Sequence, residues 1–182
     1  MTDTAFSSPR QPFRPSILAL SLLLAVTVPV AGAEAKGREF LGGFRDWDAF
    51  LDKTAKGEKS CYAITVPKET TPKNVKRGEI YVMVTQWPAA KVKNQISISA
   101  GYALKKDSNV LLTIDKTTYK LFVQDDRAWA SDDKQDTEIT AALKKGTTLS
   151  VKGVSARGTE TTDSYSLAGF SSALNAITQA CY

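Results

Sequence analysis

The chain has 182 residues, with 24 Lys and Arg against 19 Asp and Glu, a formal net charge of +5, two cysteines and no histidine. The missing imidazole excludes Ser-His-Asp and Cys-His nucleophilic systems, histidine general acids and bases, and every zinc site that needs a histidine ligand. Charges of both signs are interleaved and the aromatics are not set among basic clusters, so the composition does not describe a nucleic-acid groove.

Arg10 and Arg14 precede an apolar run from Ile17 to Val26, followed by VPVAGA with small residues at Ala31 and Ala33. This order of positive region, apolar core and A-x-A site is a secretory signal peptide, with cleavage expected after Ala33. The run is short for a membrane span, which takes about 20 apolar residues. Residues 1–33 are therefore read as a removed leader and 34–182 as one domain of ordinary size, ~150 residues, with no transmembrane span left after cleavage. Cys61 and Cys181 both fall in the exported part, where an even pair reads as a disulfide.

From Gly43 onward the chain is a series of short strand-like runs. FRDWDAF and SCYAITV flank the hydrated turn TAKGEK, which predicts a hairpin over 44–66. Pro67 and Pro72 mark a loop. In GEIYVMVTQW, Ile80, Val82 and Val84 share one face and the other face is also partly apolar, the pattern of a central strand. NQISISAGYAL alternates more cleanly, with Ile96, Ile98, Ala100 and Tyr102 inward and the serine face expected to meet water. NVLLTID and TTYKLFV form a second hairpin across Asp115 and Lys116; without a turn glycine, a loop of three or four residues is expected there. TLSVKGV and TDSYSL close the series, with Leu149, Val151, Tyr165 and Leu167 inward.

Two segments depart from this pattern. SDDKQDTEITAALKKG has acids first, lysines last and Gly146 beyond, which predicts a short helix near 134–145, about two turns, with Ser131 or Asp133 as cap and Gly146 as a left-handed stop. In the tail, Phe170, Leu174, Ile177 and Cys181 make one stripe of an amphipathic helix near 169–180, so Cys181 faces the core. Regular short strands with little helix indicate a mainly β fold, a sandwich or barrel.

Histidine-free chemistry would need one of a few motifs. SDDK at 131–134 matches the S-x-x-K of serine-lysine acylases, but the companion motifs are missing and a helix start explains the same residues. Asp125, Asp126, Asp132 and Asp133 lack EF-hand spacing and read as a solvated acidic surface. Neither a Walker loop nor G-x-G-x-x-G is present. No catalytic residue, metal or cofactor is assigned. The remaining candidate is a contact surface: Arg157, Gly158, Thr159, Glu160 and Thr161, where an arginine and backbone amides could hold an anion, together with Trp87, an aromatic that could bind a partner but whose first reading is core or edge packing. Trp129 in DRAWA reads as packing.

CYAITVPKE, KRGEIYVMVTQWP, ISISAGY, AWA, LKKGTTLSVKG and SARGTETTDSYSLAGFSSAL, ending in a cysteine, resemble the invasion-associated locus B family of bacterial envelope proteins over roughly residues 41–181. The resemblance implies an exported immunoglobulin-like β-sandwich in the periplasm or outer envelope of a Gram-negative bacterium, with Cys61 and Cys181 bridged. It also implies a part in host-cell adhesion or invasion for some members. The chain departs from the family where members often carry Thr-His-Arg-Pro and this one has Thr85, Gln86, Trp87 and Pro88, and where a basic residue is replaced by Glu160. The expected function is a non-enzymatic module binding a protein or envelope component. The alternatives are a small-ligand carrier and a hydrolase using Ser164 or Ser131 with a lysine.

Overall fold

The computed structural model describes residues 37–182; the leader read at 1–33 lies outside them. Eleven strands and two helices follow in the order β1 (Arg38–Phe44), β2 (Trp47–Lys53), β3 (Lys59–Thr65), β4 (Glu69–Thr71), β5 (Ile80–Trp87), β6 (Val92–Ala100), β7 (Asn109–Ile114), β8 (Thr117–Gln124), β9 (Arg127–Trp129), α1 (Asp133–Lys145), β10 (Thr148–Val154), β11 (Glu160–Ser166) and α2 (Phe170–Cys181). The strands hydrogen-bond in one antiparallel order, β1-β2-β3-β5-β6-β9-β8-β7-β10-β11-β4. In a flat sheet, β3 and β4 would lie about 38 Å apart at ~4.8 Å per strand. Only Val66, Pro67 and Lys68 join them, a reach of at most ~14 Å. The sheet therefore doubles back on itself into two layers, the mainly β sandwich expected from the sequence. Trp47 Nε1 donates to Ser166 O at 3.1 Å and Asp46 N to Ala168 O at 3.2 Å, stitching the start of β2 to the end of β11.

Side-chain alternation builds the core. Ala49, Leu51, Cys61, Ala63, Val82, Val84, Ile96 and Ile98 point inward from the first layer, and Val110, Leu112, Leu121, Leu149, Val151 and Tyr165 from the second. Both helices pack on the inner side of the first layer. Cys181 is bonded to Cys61, and Thr178 Oγ1 accepts from Gln86 Nε2 at 2.9 Å. Phe170, Ile177, Ile139 and Leu143 fill the space, with Phe170 edge-on to Trp47 at 4.8 Å. No helix among the described residues is long and apolar enough to cross a membrane.

Several expectations are corrected in detail. FRDWDAF straddles a turn at Arg45 and Asp46, so the hairpin 47–65 is preceded by an edge strand, β1, and the proline loop contains the short strand β4. The loop between β7 and β8 has two residues, because Ile114 pairs with Thr117. Asp115 supplies what the missing glycine would have: it takes φ 49° while its carboxylate accepts from Thr147 N, Thr148 N and Thr148 Oγ1. The serine face of β6 is not solvated. Ser97 and Ser99 are buried, since β5 and β9 flank β6 and place Met83 and Trp129 beside Ser97.

Helix α1 runs Asp133–Lys145, matching the expected 134–145 to one residue and longer than two turns. Its N-cap is Asp132, which accepts from Gln135 N at 2.8 Å, and Gly146 has φ −78°, not a left-handed value. Small size is what Gly146 supplies, because an added Cβ would lie 2.7 Å from Ile114 Cγ2. At the start of α2, Gly169 has φ 96° and its Cα approaches the Phe44 carbonyl so closely that no side chain fits.

Candidate functional site

Arg157, Gly158 and Thr159 form the turn between β10 and β11. Gly158 N donates to Ser155 O at 2.8 Å, while Thr159 N donates to Ser155 Oγ at 3.1 Å. Ala156 N reaches across to Ala103 O at 2.8 Å, so the turn is tied to the segment that follows β6. Gly158 has φ 86°, a left-handed position with open space where a Cβ would sit. The Arg157 side chain is exposed. Glu160 is exposed too, but its carboxylate is paired to Lys152 at 2.9 Å. Thr161 is buried, and its hydroxyl lies 2.6 Å from Tyr102 OH; it supports the surface from below.

Under this turn lies a buried polar network that fixes its position. Arg77 Nη1 and Nη2 each donate to an Asp163 carboxylate oxygen at 2.6 Å, with the two side chains 4% and 2% exposed. The guanidinium also donates through Nε and Nη2 to Ala100 O at 2.9 and 2.7 Å, and it sits 5.0 Å from the Tyr102 ring centroid. Burial works against the Arg77 charge, but the Asp163 carboxylate outweighs it and holds the guanidinium above its ordinary pKa. Burial likewise pushes the Tyr102 and Tyr165 hydroxyls up, so both stay protonated. The bidentate pair binds the approach to β5 to the middle of β11 and the end of β6. Gly101, with φ 72°, completes the arrangement: Gly78 N donates to its carbonyl at 2.8 Å, and an added Cβ would lie 2.8 Å from Gly78 O.

The result is a cleft of about 340 Å³ lined by Val75, Lys76, Tyr102, Ser155, Arg157 and Thr159, among others. Lys76 and Arg157 stand exposed on its rim, and neither meets a carboxylate within ion-pair distance among the described residues. Two neighbouring depressions share Ala103 with it, one lined by Lys105, Asp107 and Asp125 and the other by Gly78, Tyr81 and Arg127. This end of the sandwich is an uneven surface of loops held on a rigid support, with uncompensated cations at the cleft mouth. Such a surface can hold a carboxylate or phosphate against the arginine and lysine.

The structure does not bring Trp87 to this surface. Ile80 pairs with Ala100 beside the cleft, whereas Trp87 ends β5 about 23 Å further along at ~3.3 Å per residue. Ser131 and Lys134 share no hydrogen bond among the described residues; Ser131 N instead donates to Gln135 Oε1 at 2.8 Å in the α1 start. Ser164 lies on β11, where its carbonyl accepts from Lys68 N and the Lys68 ammonium is paired with Asp46. The four aspartates at 125–133 form no metal-binding group among the described residues. Trp129 pairs with Ser97 and Phe122 in the sheet. Cys61 and Cys181 are joined, 120 residues apart in sequence. Arg77, Asp163 and Tyr102 were not assigned a joint role by sequence reading. Their signal is faint: an arginine just before a central strand and an aspartate at an inward position of β11.

The family model described as Invasion associated locus B (IalB) protein matches residues 47–178, which includes the cleft, its buried support and most of α2. No curated protein and no solved structure matches the chain.

Proposed function

The chain belongs to the invasion associated locus B family of envelope-associated proteins, and we propose that it acts in the periplasm or outer envelope as a non-enzymatic module that binds another macromolecule. The observation that carries this reading is the cleft at the loop end, where exposed Lys76 and Arg157 stand over the buried Arg77–Asp163 pair. Rigid backing lowers the entropy lost when a partner docks, and unpaired rim cations steer a partner that presents carboxylates or phosphates. A role in host-cell adhesion or invasion would be one use of such a module. The space between the layers is filled by Trp47, Phe170, Ile177 and Leu143, which speaks against a carrier that houses its ligand there. The test is capture from envelope extracts with the wild type and a Lys76→Glu, Arg157→Glu variant. The variant should lose its partners and the wild type should lose them as salt rises. Equal capture by both would remove the cleft from the interaction.

A further inference from the structure

We propose a second ligand site on the outer face of β1, β2, β3 and β5, which takes a neutral oligosaccharide. The register aligns two outward rows there. Phe40, Phe50 and Tyr62 are cross-strand partners in one row, with ring centroids 5.2 and 5.3 Å apart and the Phe50 and Tyr62 planes within 21°. Arg38, Asp52 and Ser60 form the next row, and Trp87 follows on β5, since Cys61 opposes Gln86 one position earlier. Phe40 is 59% exposed and Trp87 41%. These two aromatics stand about 14 Å apart across the strands and about 7 Å along them.

On the far side of the Arg38, Asp52 and Ser60 row lies a groove of about 490 Å³, walled by those three residues with Gly37, Lys53 and Thr54, while the aromatic rings stand next to it and do not line it. Its charges are already matched: Arg38 Nε and Nη2 donate to Asp52 at 3.1 and 3.4 Å, and Lys53 lies 3.7 Å from Glu39. Arg38 also lies 5.6 to 5.8 Å from the Tyr62 and Phe50 ring centroids, which steadies its guanidinium. The groove therefore presents oriented donors and acceptors whose charges are paired, with apolar rings in the neighbouring row and on β5. A pyranose has the complementary surface, with a C–H face for an aromatic ring and a rim of hydroxyls for a paired Arg and Asp. An anion would find no uncompensated cation here, in contrast to the Lys76 and Arg157 cleft.

The site is tested by titrating ¹⁵N-labelled protein with two neutral linear oligosaccharides, chitotetraose and cellotetraose, and with dextran sulfate as the polyanion. The proposal expects saturable shifts at Arg38, Asp52, Ser60 and the Trp87 indole with at least one neutral probe, at Kd on the order of 1 mM. Phe40→Leu and Trp87→Ala, both at exposed positions, should each weaken binding roughly tenfold. Arg157→Ala should leave it unchanged, which separates this site from the cleft. Unfolding midpoints equal to wild type show that the variants are folded, and Ser60→Ala repeats the test for any that is not. The absence of shifts with both neutral probes, shifts confined to the cleft, or binding at these residues only by dextran sulfate would overturn the proposal.

Discussion

Removing the carboxylate at position 163 isolates the support beneath the cleft. Asp163→Asn is close in shape and leaves one acceptor for Arg77, but it strands a guanidinium whose side chain is 4% exposed without its counter-charge. Breaking a buried pair from one side costs about 3 to 5 kcal/mol, and the retained acceptor puts the Asn variant near ~3. For a domain of ~150 residues that is about 6 to 12 °C in Tm. Asp163→Ala should fall near the upper figure, ~5 kcal/mol. Arg77→Met with Asp163→Leu removes both charges together and should recover most of the loss, because apolar replacement of a buried pair is often neutral. Urea unfolding of the four proteins, followed by tryptophan fluorescence, gives the comparison. If Asp163→Asn costs less than about 1 kcal/mol, or if the double variant is worse than either single one, Arg77 is solvated or its other contacts dominate.

Replacing Cys61 and Cys181 with alanine opens a loop of 120 residues and should cost about 5 kcal/mol on the chain-entropy relation, measured as a drop in unfolding midpoint. Alkylation of both thiols in the native exported protein would contradict the bridge. Asp136 is buried in α1 and accepts from Ile96 N at 2.8 Å; burial pushes its carboxyl up to about 6, with Asp133 and Asp132 adding to the effect. The folded state then holds the proton more tightly than the unfolded one, so this contribution is fully favourable below about pH 4 and is lost as pH rises through 6, by up to ~3 kcal/mol. Asp136→Asn keeps an acceptor for Ile96 and should flatten that slope between pH 4 and 7.5, which denaturant titrations at several pH values would show; an unchanged slope would place the effect elsewhere.

Much of the fold was legible in the sequence because it rests on period-two alternation. The inward sets of β5, β6, β7, β10 and β11 and the stripe of α2 are all visible in the residue order. What was hidden depends on partners far away in sequence. Ser97 and Ser99 look solvent-facing until β5 and β9 are set beside them. Asp115 looks unsuited to a tight turn until Thr147 and Thr148 arrive to donate to it. Strand β4 has only three residues between prolines, and it is specified by pairing with β11 rather than by its own pattern. For the site, Arg157 through Thr159 were identifiable as an exposed turn, whereas Arg77 and Asp163 lie 86 residues apart and had no local sign of pairing. Trp87, for which core or edge packing was the first expectation, is 41% exposed, and it sits at the opposite end of β5, beside the aromatic row of β1 to β3.

The most direct measurement places a photo-crosslinking residue at position 157 in the living envelope, with position 138 on the exposed side of α1 as the control, and identifies adducts by mass spectrometry. A discrete adduct is expected at 157, absent at the exposed Glu138 and lost when Lys76 is reversed to Glu. No adduct at 157, or the same adducts at both positions, would contradict the cleft as the binding surface.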